Sequence, residues 1–212
     1  MTRICLLIAT SVIFSMYSQV FAQSQDLPKF EVAAEFTTLE RDDFPARRTE
    51  PGFGGRFTFN FNRVFSLETA GYFFPKRCSN CREPGRVTEV LGGVKVGKRF
   101  EKWGIFAKAR PGVASFSEGD FDVVPQGPNF FEIRRKRLTS FAMDIGGVLE
   151  FYPSKRIVTR FDAGDTIIHF KRRTAQFEIF DPVTGSFQIV PFISPARTTH
   201  NFQFAASVGF RF

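Results

Sequence analysis

Eight stretches of this chain alternate apolar and polar residues with a period of two, and the connections between them alternate short and long. Successive side chains of a strand point to opposite faces, so each stretch reads as a ribbon with one apolar and one polar face. The last stretch is the clearest. Phe202, Phe204, Ala206, Val208, Phe210 and Phe212 alternate with Asn201, Gln203, Ala205, Ser207, Gly209 and Arg211.

The other seven follow the same rule. Phe30–Leu39 sets Phe30, Val32, Ala34 and Phe36 against Glu31, Glu35 and Thr37. Phe53–Phe61 sets four Phe against Arg56, Thr58 and Asn60, and Val64–Phe74 sets Phe65, Leu67 and Phe73 against Ser66, Glu68 and Tyr72. Val87–Gly97 opposes Val90, Val94 and Val96 to Glu89 and Lys95. Trp103–Phe116 opposes Ile105, Ala107 and Ala109 to Lys108 and Arg110. Ser140–Tyr152 opposes Phe141, Met143, Ile145, Leu149 and Phe151 to Asp144 and Glu150. Arg156–Ile168 opposes Ile157, Thr159, Phe161 and Ala163 to Arg160 and Asp162. Each has about the 9–11 residues that cross a bilayer on a tilt.

Asn62-Arg63, Lys98–Lys102 and Pro153-Ser154-Lys155 are short turns, whereas Glu40–Gly52, Pro75–Arg86, Ser117–Thr139 and His169–Thr199 are long. Sorting by parity is what a transmembrane barrel with short periplasmic turns and long extracellular loops requires, and a soluble sandwich has no reason to do it. The fold class predicted is therefore all-β: an eight-stranded antiparallel up-and-down transmembrane barrel, apolar outside and polar within. Within the long loops, Thr174–Phe180 with Ser186–Phe192, and Phe121–Val124 with Phe130–Arg135, flank turn-rich stretches. They are predicted to carry strands seven and eight, and five and six, onward as hairpins beyond the membrane. Gly92-Gly93 and Gly146-Gly147 sit mid-strand, where glycine permits tight curvature.

Composition fits this reading. Thirty Phe in 212 residues, with a single Trp and three Tyr, overfill a small soluble core but suit a lipid-facing band. The mean hydropathy of −0.11 does not oppose it, because lumen-facing residues dilute the lipid-facing ones. The start reads as a cleavable leader: basic Met1–Arg3, apolar Ile4–Phe14, then Val20-Phe21-Ala22 with small residues where a signal peptidase reads. Residues 1–22 are predicted to be removed, leaving one barrel domain over residues 23–212. The net charge of +8, of which Arg3 supplies one, suggests attraction to anionic surfaces. No nucleic-acid module is recognisable.

The chain resembles the OmpA/OmpX-type eight-stranded outer-membrane β-barrels over about residues 27–212. The alternating stripes, the loop parity and the ending Phe204-Ala205-Ala206-Ser207-Val208-Gly209-Phe210-Arg211-Phe212 carry the resemblance. Phe161-Asp162-Ala163-Gly164-Asp165, after the turn at Pro153-Ser154-Lys155, resembles a penultimate hairpin of that superfamily. The resemblance implies a Gram-negative outer-membrane location. It also implies that the terminal aromatics Phe204, Phe210 and Phe212 form the signal read by the barrel-assembly machinery.

Candidate functional residues fall into four groups. An eight-stranded lumen is only wide enough to be filled by side chains, and charges there must pair. Arg56, Glu68, Lys95, Lys108, Arg110, Asp144, Glu150, Arg160 and Asp162, with Glu31, Glu35 and Glu89, are predicted to form a salt-bridged plug; a narrow ion path is the alternative. Cys78 and Cys81, in an exported loop, are a candidate disulfide, since a zinc site or a redox C-x-x-C needs support that the sequence lacks. Arg134-Arg135-Lys136-Arg137 and Lys171-Arg172-Arg173 fall near predicted outer strand ends, where lipopolysaccharide phosphates would sit, and arginine forks suit phosphate. Finally, His169 and His200 lie near neighbouring outer strand ends, with Ser140, Thr198 and Thr199 as nearby candidate hydroxyls that no sequence motif links to them. A lipid A-modifying enzyme would need such a nucleophile–base pair. The reading adopted is non-enzymatic: a monomeric barrel without cofactor or catalytic metal, partnered by outer-membrane lipids, serving membrane integrity or surface contact.

Overall fold

In the computed structural model, which describes residues 28–41, 47–78, 83–127, 130–181 and 185–212, eight strands close into one barrel. They are β1 (Phe30–Arg41), β2 (Arg48–Asn60), β3 (Phe65–Cys78), β4 (Gly85–Arg99), β5 (Trp103–Gly127), β6 (Phe130–Phe151), β7 (Ile157–Phe170) and β10 (Arg197–Arg211). Each pairs antiparallel with its chain neighbour, and β10 closes on β1. At that seam Phe30 and Phe212 exchange two backbone hydrogen bonds of 2.9 Å.

The alternation sets the faces. Phe36, Phe53, Phe57, Phe141, Phe161, Phe202 and Phe210 are exposed on the outer wall, while Glu31, Arg56, Glu68, Lys95, Asp144 and Arg160 are buried within. At the short-turn end a belt of rings packs together: Phe30 tilted on Phe59 at 5.2 Å, Phe59 edge-on to Phe61 at 4.7 Å and Phe100 stacked on Trp103 at 4.2 Å. Such an aromatic girdle marks a bilayer interface.

At the other end the strands run further than the alternation predicts. β1 reaches Arg41, β2 starts at Arg48, and β5 and β6 stay paired out to Gly127 and Phe130. Ladder hydrogen bonds need no side-chain period, so pairing continues through stretches such as Pro51-Gly52 where the stripe lapses. The β5–β6 hairpin therefore forms as expected, with a register shift between Phe116 and Asp120. The second hairpin differs from expectation in one respect. β8 (Arg173–Asp181) and β9 (Ser186–Ser194) pair with each other but form a separate two-stranded sheet rather than a continuation of β7 and β10. Lys171-Arg172 and Pro195-Ala196 interrupt the ladders, and Pro195 has no N–H to donate.

One glycine of each mid-strand pair meets a close neighbour. A Cβ on Gly93 would stand 2.1 Å from the Ala109 carbonyl oxygen, and one on Gly146 would stand 2.2 Å from that of Ala163. Gly147 has open space around it. Gly93→Val and Gly146→Val are therefore expected to abolish the heat-modifiable folded band on electrophoresis, whereas Gly147→Val keeps it. A folded band of normal intensity in the first two variants would contradict this packing.

Candidate functional site: a sealed lumen and a basic rim

Inside the barrel the polar faces of the strands converge. Mid-height, Arg56, Lys95, Arg99, Lys108, Arg110 and Arg160 meet Glu31, Glu35, Glu68, Glu89, Asp144, Glu150 and Asp162, all buried. Glu68 of β3 is the hub. Arg160 of β7 grips it with both terminal nitrogens, one at 3.0 Å, and Lys95 of β4 stands at 3.3 Å. Arg56 and Arg110 each approach it to 4.0 Å. Lys95 also pairs with Glu150, and Arg160 binds Asp162 at 2.6 Å. Lys108 bridges Asp144 at 2.8 Å and Asp162 at 3.3 Å. Six cations against seven acids leave the level close to neutral, without the single-sign ring of an ion filter. Glu89 stands apart: Gln203 Nε2 donates to it at 3.3 Å, and it makes no ion pair among the described residues.

A floor and a roof enclose this level. Below, Arg99 donates to the Tyr152 hydroxyl at 2.9 Å, and that hydroxyl donates to Glu150 at 2.7 Å. Above, the inward positions turn apolar: Leu39, Phe74, Val87, Leu91, Ala114, Phe116, Ile168 and Phe170 form one buried cluster. Sequence reasoning treated the lumen as polar throughout and missed this storey. The signal was present, since Leu91 follows Glu89 by two and Ala142 precedes Asp144 by two. Over the apolar storey sits Glu83, 3 % exposed. Arg197 binds its carboxylate, Arg173 approaches to 3.6 Å, and Arg41 donates to its carbonyl at 2.6 Å. The cavity left beneath is about 10 Å³, room for about one water.

The predicted site residues are distributed as follows. Arg134, Arg135, Lys136 and Arg137 are exposed on the β6 extension, where Arg134 and Lys136 face Asp122 and Asp120 of β5 in register. Arg135 and Arg137 fall on the outward parity of Phe141. Lys171 and Arg172 are exposed, but Arg173 parts from them. Its side chain is 25 % exposed and turns inward to Glu83, Asp120 and the Gly119 carbonyl, so it serves the roof rather than the rim. Phe204, Phe210 and Phe212 are exposed on the outer wall. Cys78 ends β3. Its predicted partner Cys81 lies outside the described residues.

The histidines occupy the outer wall. His169 Nδ1 is 3.1 Å from the Thr198 hydroxyl, and His200 Nδ1 is 2.6 Å from the Asp165 carboxylate. The orienting acid and the hydroxyl therefore serve different imidazoles. Ser140 and Thr199, by contrast, are buried on the inward face, across the sheet from both. No cluster of three or more metal-ligating side chains occurs among the described residues.

Neither a family model nor a curated protein sequence matches this chain. Solved structures do. Neisserial surface protein A is 12% identical, covering 87% of this chain and 97% of its own, with a TM-score of 0.51. Ail, the attachment invasion locus protein of Yersinia pestis, solved with the heparin analogue sucrose octasulfate, is 9% identical, covering 86% and 97%, with a TM-score of 0.50. The chain has the fold of the OmpA/OmpX-type eight-stranded outer-membrane barrels.

The hub and the outlier should respond differently to neutralisation. Glu68→Leu strands several buried cations and is expected to cost about 3–5 kcal/mol of stability. Glu89→Gln keeps a hydrogen-bonding partner for Gln203 and is expected to stay within about 1 kcal/mol of the parent. Urea unfolding in micelles, followed by the fluorescence of Trp103, measures both. Equal losses would contradict the hub.

Proposed function

We propose that this protein is a non-enzymatic, integral outer-membrane barrel of a Gram-negative envelope, exported by its leader and inserted by the barrel-assembly machinery. It acts as a monomer in membrane integrity or surface contact, and its basic rim engages lipopolysaccharide phosphates. The observation that carries this reading is the exposed Arg134–Arg137 ladder, held on a paired strand above the apolar wall, with exposed Lys171 and Arg172 beyond the end of the neighbouring β7. A strand extension holds these cations clear of the sealed lumen, which suits them to anions outside the barrel. The sulfated ligand of Ail, a polyanion, supports the same class of contact here.

The non-enzymatic part rests on the outer wall. A serine-type site needs acid, imidazole and hydroxyl in series. Here Asp165 and Thr198 hold separate imidazoles, and Ser140 and Thr199 face the wrong way. The storeys within the barrel likewise support a closed scaffold over an ion path.

Replacing Arg134, Arg135, Lys136 and Arg137 together by Gln is expected to weaken binding to lipopolysaccharide-containing vesicles at least about tenfold at low salt, since each basic side chain near an anionic surface contributes about 1 kcal/mol. Co-sedimentation over a salt series reads this, and unchanged binding would sink the rim reading. In planar bilayers the parent protein is expected to give no stable unitary steps; regular steps would instead favour the pore.

A further inference from the structure

Where β7 meets β10, the apolar outer wall carries a cluster of imidazole, carboxylate and hydroxyl groups. On β7 the outward positions run Phe161, Ala163, Asp165, Ile167, His169, and on β10 they run Phe204, Phe202, His200, Thr198. The four polar residues form one patch across two adjacent strands. His200 lies opposite Ile167 and Thr198 opposite His169, while Asp165 lies between Phe202 of β10 and Ile145 of β6. Asp165 is eight residues from Ile157 at the short-turn end. At about 3.3 Å per residue on a 35–45° tilt, that sets it about 20 Å up an apolar band about 25 Å tall. A carboxylate facing lipid at that depth is costly and needs partners.

Within the protein, Asp165 has two. Its Oδ2 takes His200 Nδ1 at 2.6 Å, and its Oδ1 accepts the Asn201 backbone N–H at 3.0 Å. Yet the pair stays open: the His200 side chain is 66% exposed and that of Asp165 is 40% exposed. Each imidazole has Nδ1 fixed by the protein, which leaves Nε2 for a ligand on the lipid side. Carboxylate oxygens retain further acceptor capacity, which calls for a donor.

We propose that this patch seats the sugar–acyl junction of a phosphorylated, acylated amino-sugar lipid of the lipopolysaccharide class. The proposal rests on the rim reading above for the ligand's phosphates and adds the level beneath them. Three levels stack on this wall. Arg137 and Lys171 stand toward the long-loop end, the His–Asp patch lies below them, and Phe161 and Phe204 lie below the patch. A lipid of this class matches them in order: phosphate, then amide N–H and hydroxyl donors, then several acyl chains. A glycerophospholipid carries ester carbonyls at the middle level. These accept but do not donate, so they leave Asp165 unanswered.

The test titrates the full chain, refolded in detergent, by native mass spectrometry with three probes: bis-phosphorylated hexa-acyl lipid A, the same lipid stripped of phosphate, and phosphatidylglycerol. Asp165→Leu/His200→Leu continues the apolar band, so it is expected to keep the heat-modifiable fold. It is expected to bind both forms of lipid A about tenfold more weakly, the loss of about one charge-assisted hydrogen bond. His200→Leu alone, which leaves Asp165 on the Asn201 N–H, is expected to show the same loss should the double variant not fold. Arg135→Gln/Arg137→Gln is expected to weaken only the phosphorylated form. Failure of that last result removes the rim and leaves the patch standing. Leucine variants that bind stripped lipid A like the parent, or a parent that takes phosphatidylglycerol as tightly as lipid A, would overturn the proposal.

Discussion

Everything within this barrel is organised around the need to neutralise charge away from water. An isolated buried carboxylate would be prohibitive, and Glu68 is tolerated because Arg160, Lys95, Arg56 and Arg110 converge on it from four strands. Those strands are β7, β4, β2 and β5, so the hub ties together walls that share no backbone ladder with one another except β4 with β5. The same constraint fixes register. A one-residue slip of any strand would turn its charges out to lipid and its phenylalanines inward. The hydrogen-bond ladder closes the barrel, but the charge set decides which closure is acceptable.

Much of this was legible in the sequence because the strand period is simple. Parity alone placed Glu31, Arg56, Lys95, Lys108, Asp144 and Arg160 on the inner face and the phenylalanines on the outer. What parity could not supply was height. It could not say that Leu91, Phe116 and Ile168 share one level above the charges, because strand tilt and stagger set levels across strands. Nor could it separate Arg173 from Lys171 and Arg172. These are three consecutive cations, of which one turns inward to Glu83 of the β3–β4 connection and Asp120 of β5. The outer-wall patch was half visible. The histidines drew notice by their rarity, but Asp165 read as part of a turn-proximal motif, and its pairing with His200 depends on the β7–β10 register.

The roof changes how the long-loop end is understood. Glu83 comes from the β3–β4 connection, Arg41 from β1, Arg173 from the start of β8 and Arg197 from the start of β10. A loop residue and three strand ends are thus fastened at one point, directly over the apolar storey. That fastening gives the projecting β8–β9 sheet a fixed root although it shares no ladder with the barrel. Cations that look like surface charge in the sequence are divided between holding the top of the barrel together and facing outward.

The seam between Phe30 and Phe212 has a consequence in time rather than space. It joins the first described strand to the last, so no smaller part of the chain can satisfy both its edges. Until β10 arrives, β1 and β7 each present an unpaired row of amides and carbonyls that hydrocarbon cannot solvate. The barrel is therefore completed only by its final strand. A polypeptide cut short before it would remain an open sheet, recognisable as unfinished by its edges alone.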